Sequence, residues 1–189
     1  MNKQSSIILS IAVISAISIG AFYSLNASEI QTVVIGQSLP DFPVEYLAEK
    51  TPYAIQGTVS DMISVPVQYD EVGIANVFTD VVIKVTKDLN QQYTDDRITV
   101  RIQGGQTDKY NFVYESSPTF TIGEKVFIFV AEKEPNSIYG DNYYVAGLQH
   151  GKYNLDEEGT AKNKDPNRNT SVKSLEETVK KAKEKSKRV

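Results

Sequence analysis

Between Gln4 and Ser28 the chain carries no charged side chain, and Ser6 to Leu25 is an almost unbroken series of Ile, Leu, Val, Ala, Ser and Gly closed by Phe22-Tyr23. About 20 such residues in a helix cross the ~30 Å hydrocarbon layer of a bilayer, so this stretch suits a membrane rather than a core. It reads either as a signal peptide, with Lys3 as its basic end, or as an uncleaved signal anchor. The small-residue cut site after Ala27 has Leu25 three positions back, and Tyr23 sits where an interfacial aromatic anchors a span, which favours the anchor. Lys3 on one side and Glu29 and Asp41 on the other orient the body outward. The expected location is therefore the cell membrane, single-pass through residues 6–25 with the C-terminal domain extracellular, or secretion if the segment is removed.

The remaining chain is ordinary in size for one domain of roughly 100–150 residues plus extras. With no Cys among 189 residues, disulfides, thiol nucleophiles, lipid attachment at Cys and thiolate metal centres are excluded. An exported domain large enough to bury a core can do without bridges. Charge is uneven: residues 1–28 carry +1, residues 29–170 carry 12 basic against 21 acidic side chains, and residues 171–189 carry 7 against 3. An acidic body does not release counterions from phosphates, so no nucleic acid partner is expected. Asn26 and Asn169 open glycosylation tripeptides, Asn26-Ala-Ser28 and Asn169-Thr-Ser171.

Periodicity divides the chain into a membrane segment at 1–28, a stalk at 29–42, a β domain at 43–163 and a linker with a basic helix at 164–189. Pro43 opens a short helix over Val44–Lys50, ended by Thr51-Pro52. Ala54–Ser60 is the first strand. Val77, Thr79, Val81, Ile83 and Val85 then alternate with Phe78, Asp80, Val82 and Lys84, and Ile98, Val100 and Ile102 alternate with Thr99 and Arg101. Phe112-Val-Tyr114 is a further strand candidate. Val126–Val130 is apolar on both faces and reads as the most buried strand. Tyr143–Leu148 and Lys152–Leu155 flank a bend at Gln149-His150-Gly151. The fold class is all-β, a small OB-like barrel or sandwich of about six or seven strands, with an N-terminal transmembrane helix and a C-terminal helix. In that last helix Val172, Leu175, Val179 and Ala182 form an apolar stripe behind a Thr170 or Ser171 cap.

The succession Ala54-Ile-Gln-Gly-Thr-Val59, Thr79–Val85, Ile98–Gly105, Ser117–Phe129 and Val145–Tyr153 resembles a group of exported, mostly uncharacterised bacterial and archaeal proteins. The likeness covers about residues 44–180. It implies a small barrel similar to OB-folds and, distantly, to netrin-like domains, and brings no catalytic residue set with it.

Candidate sites are few. His150 could serve as a base or ligand, but no G-x-S-x-G elbow accompanies it, and a strand bend suits it as a turn residue. Asp88, Asp95-Asp96, Asp141 and Asp156-Glu157-Glu158 offer oxygen ligands without EF-hand spacing, and turns use the same residues to hold backbone N–H groups. Gly104-Gly105 lacks the following helix that a phosphate loop needs. Tyr110, Tyr114, Tyr139, Tyr143 and Tyr144 could form a stacking or carbohydrate surface. Lys180, Lys181 and Lys183 could meet anionic lipid or a surface polymer, or simply be solvated. No cofactor is expected. These features point to a non-enzymatic binding or structural module at the cell surface, partnered by an envelope protein or surface polymer. The alternative is an envelope glycan hydrolase using paired carboxylates.

Overall fold

The computed structural model describes residues 30–36, 38–65, 68–69 and 75–187. The expected membrane segment and Asn26 lie outside the described residues; among those described, no helix is long and apolar enough to cross a membrane. In chain order the elements are β1 (Gln31–Ile35), α1 (Val44–Lys50), β2 (Tyr53–Ser64), β3 (Gln68–Tyr69), β4 (Ala75–Asn76), β5 (Phe78–Asp88) and β6 (Arg97–Gln103). They continue with β7 (Gly105–Gln106), β8 (Tyr110–Tyr114), β9 (Lys125–Ala131), β10 (Tyr143–Val145), β11 (Lys152–Leu155), β12 (Thr160–Asn163), β13 (Thr170–Ser171) and α2 (Val172–Ser186).

The largest sheet runs β10-β6-β5-β2-β9-β11-β12-β13, and β10 also pairs with β9, so β2, β5, β6, β9 and β10 close into a five-stranded barrel. All its pairings are antiparallel except β6 with β10, where Val100 faces Tyr143 in parallel register. Register shifts in β2 beside Gly57 and after Val59 let the strand coil around the ring. The barrel, rather than a sandwich, is thus the observed all-β form.

Alternation determines what lies inside. Val81 and Ile83 of β5 and Ile98, Val100 and Ile102 of β6 are buried together with Ile55, Val59 and Phe120. β9 is apolar on both faces because it separates two cores: Val126, Ile128 and Val130 point into the barrel, while Phe127 and Phe129 join a second cluster with Leu47, Ala48, Tyr153, Leu175 and Val179. That outer cluster is roofed by α1 and α2. Ser171 caps α2 by accepting from the Ser174 N–H at 3.1 Å, and Thr51 ends α1 by donating both its N–H and its hydroxyl to the Leu47 carbonyl.

Four expectations need revision. The Phe112 segment pairs outside the barrel, in a small sheet of order β1-β8-β7. Gln31–Ile35, expected as stalk, is the first strand of that sheet, its β-branched run finding an edge to pair with. The start of the linker expected from residue 164 is also ordered, with a 3-10 turn at Pro166–Arg168 following β12, which ends at Asn163. The polarity at this junction misleads because the Asn163 side-chain amide is buried and donates to the carbonyls of Gln149, His150 and Lys152. The late lysines of α2 are not all free in solvent: Lys183 donates to the Asn90 carbonyl and Lys185 pairs with Glu49 at 3.0 Å.

Candidate functional site

An open cleft of about 730 Å³ lies between α1, the end of β9, the β10 edge and the last turns of α2. Along its walls α1 packs on the 3-10 turn Leu148–Gly151 and on α2. Gly147, with φ +69, permits that approach: a Cβ there would lie 2.9 Å from the Leu47 side chain. The walls bring together Phe42 and Tyr46 from the α1 side, Asn90 and Gln92 from the β5–β6 loop, Glu132, Glu134 and Tyr144 from the β9–β10 region, and Lys183 from α2. Tyr46 is 49% exposed, large for an aromatic ring in a folded body. Its ring lies 6.2 Å from that of Phe42.

Tyr144 is stacked on Tyr139 at 4.6 Å and 11°. Its phenol is pushed above the ordinary tyrosine range, by burial first and then by the Glu134 carboxylate, so it remains a neutral hydrogen-bonding group. The neighbouring Tyr143 points elsewhere. It closes an edge-to-face cluster with Tyr53 and Tyr93 at 5.7 and 6.0 Å against the barrel interior, with the Lys133 ammonium 5.2 Å above its ring. Burial, then the charge of Asp95, pushes the Tyr93 phenol up to about 12.

The sequence candidates therefore do not form one surface. Tyr144 and Lys183 line the cleft, whereas Tyr143 does not. Tyr110 is exposed on β8, Tyr139 is buried, and Lys180 and Lys181 lie on the outer, solvated side of α2. Asn169 is exposed ahead of α2, its side-chain Oδ1 accepting from the Asn163 backbone N–H. Gly104 is a turn residue, donating to Val77 and accepting from the Thr79 hydroxyl. The acidic positions hold loops: Asp88 accepts from the backbone N–H groups of Ala54, Asn90, Gln92 and Tyr93. Asp156 accepts from Glu158 and Thr160, and those contacts, with Lys162, hold its carboxyl below the usual range.

His150 is buried in its 3-10 turn, and its Nδ1 has no hydrogen-bond partner among the described residues. Burial, and then the Arg168 guanidinium, lower its pKa, while Asp41 and Asp165 oppose the shift. It is a neutral packed ring, 6.4 Å from Phe42. Residues that the pattern reading missed are Phe42, Tyr46, Asn90, Gln92, Glu132 and Glu134. Only Tyr46 carried a signal, as an aromatic off the buried side of its short helix. The chain matches no known protein-family model and no curated protein.

Proposed function

We propose that this protein is a non-enzymatic binding or structural module at the cell surface, anchored through residues 6–25 or released by cleavage, with an OB-fold-like barrel as its body. The strand order, with the third and fifth barrel strands parallel and all other pairings antiparallel, supports the OB-like reading. The observation that carries the binding function is the cleft, in which an exposed aromatic, a tyrosine held neutral, two side-chain amides and three carboxylates, Glu49, Glu132 and Glu134, converge. Such a mixture orients a ligand by stacking and hydrogen bonds. The partner is an envelope protein or surface polymer. Glu132 and Glu134 line the same cleft, and the hydrolase alternative would draw its two carboxylates from them.

The test is in-cell photocrosslinking from position 46 of the full-length chain, with N-terminal sequencing of the mature form. A discrete envelope adduct, lost when the probe is moved to the outer face of α2 at position 181, supports the reading. A chain that stays inside the cell, or a probe that yields the same products from both positions, overturns it. Release of sugars from envelope glycan that disappears in both Glu132→Gln and Glu134→Gln would establish the hydrolase instead.

A further inference from the structure

Strand β11 places Lys152 and Asn154 on one face and Tyr153 on the other, since side chains alternate along a strand. The register sets Lys152 opposite Ile128 and Asn154 opposite Val126, the barrel-facing positions of β9. A lysine is unusual there. Its side chain is only 8% exposed, and its ammonium lies 4.9 Å from the centre of the Phe120 ring. Nζ donates to the Thr119 carbonyl and the Glu124 carboxylate, both at 2.8 Å, and to the side-chain oxygen of Asn154.

We propose that Lys152, Glu124 and Asn154 form an autocatalytic isopeptide site, in which the Lys152 amine displaces ammonia from the Asn154 side-chain amide. Three requirements meet at this point. The nucleophile is withdrawn from water beside an aromatic ring, as an amine must be to lose its proton. A carboxylate touches it and can exchange that proton. An amide carbonyl touches the same nitrogen, so the carbon to be attacked is one C=O bond further on. Burial lowers the Lys152 pKa, opposed by Glu124. Moving one proton along their shared hydrogen bond leaves a neutral amine and a carboxylic acid, which discharges the buried Lys152 cation.

From that state the amine lone pair forms the Nζ–Cγ bond as the carbonyl electrons move to Oδ1. Glu124 takes the proton leaving Nζ and delivers one to Nδ2. The Cγ–Nδ2 bond breaks, the carbonyl re-forms and ammonia departs. The sum is a lysine ammonium and a primary amide giving a secondary amide and an ammonium ion, with no oxidant, reductant or metal. A small pocket of about 140 Å³, lined by Lys152, Asn154 and Asn163, opens beside the amide and gives the leaving group a way out. The link joins two residues of one strand, so its effect is to replace a buried cation by a neutral amide.

Mass spectrometry of the purified, folded full-length chain tests this. The expected intact mass is about 17 Da, one ammonia, below that of the mature sequence, and trypsin leaves 134–162 joined across Lys152 with the same deficit. Glu124→Gln, Lys152→Met and Asn154→Ala should each abolish the deficit. Asn154 is an exposed residue, so its variant folds and serves as the decisive control. Asn154→Asp should lose water in place of ammonia. A folded wild-type chain at full mass with 134–152 released overturns the proposal, as does a deficit that survives Asn154→Ala.

Discussion

Leu175→Ala tests whether α2 belongs to the folded body or rides on it. Leu175 is 1% exposed and shares the outer cluster with Leu47, Phe127, Phe129, Tyr153 and Val179. Truncating a buried leucine costs about 2–5 kcal/mol, less where the surroundings can close over the hole. Because α2 has solvent on its far side, it can settle partway into the gap, and the lower part of that range, about 2–3 kcal/mol, is expected. With a urea dependence of about 2 kcal/mol per molar for a domain of this size, the midpoint should fall by about 1–1.5 M without a change in slope. Lys181→Ala, on the exposed side of the same helix, should stay within about 0.5 kcal/mol of wild type. Equilibrium urea unfolding followed by tyrosine fluorescence reads both. A midpoint for Leu175→Ala no lower than that of Lys181→Ala would refute the reasoning, since it would mean that the stripe covers nothing.

Acid should weaken the fold through its single histidine. The folded-state pKa of His150 lies below its unfolded value of about 6.5, so its contribution is full above pH 6.5 and declines as pH falls below it. Between pH 7 and 5.5, above the range where Glu49, Asp156 and Glu176 titrate, wild type should lose more stability than His150→Phe; equal losses would exclude the imidazole. Gly151→Ala should unfold the domain or shift its melting strongly, because a Cβ would stand 1.8 Å from the Ala146 carbonyl oxygen. Gly159→Ala, with φ +82 and open space around it, should cost only about 1–2 kcal/mol in the same melt. Asp88→Ala strips a shared acceptor from four backbone N–H groups and should cost about 2 kcal/mol, with faster amide exchange at Gln92 and Tyr93 as the local signature.

Much of the barrel could be read from the chain. The alternation of Val81 and Ile83, and of Ile98, Val100 and Ile102, gives both the strands and their inward faces, because a period of two has no other use. The apolar run Val126–Val130 also stands out, although its cause does not: a strand with two greasy faces can be central in a sheet or a wall between two cores, and only the helices decide. Closure was invisible. Nothing in Tyr143-Tyr-Val145 tells that three residues pair with β6 on one side and β9 on the other. The cleft was equally hidden, since its walls come from separated segments and their side chains obey no local spacing. Lys152 did leave a trace, as a charge where alternation calls for an apolar residue, but Glu124, 28 positions away, becomes its partner only in three dimensions.

The two helices that roof the outer core come from opposite ends of the described chain; Lys185 reaches Glu49 across 136 positions. During synthesis, the outer core around Phe127 and Phe129 therefore stays incompletely covered until residues 172–186 have left the ribosome. A barrel that closes before its outer wall is covered leaves Phe127 and Phe129 partly bare for that interval, and α2 is the segment that ends the exposure.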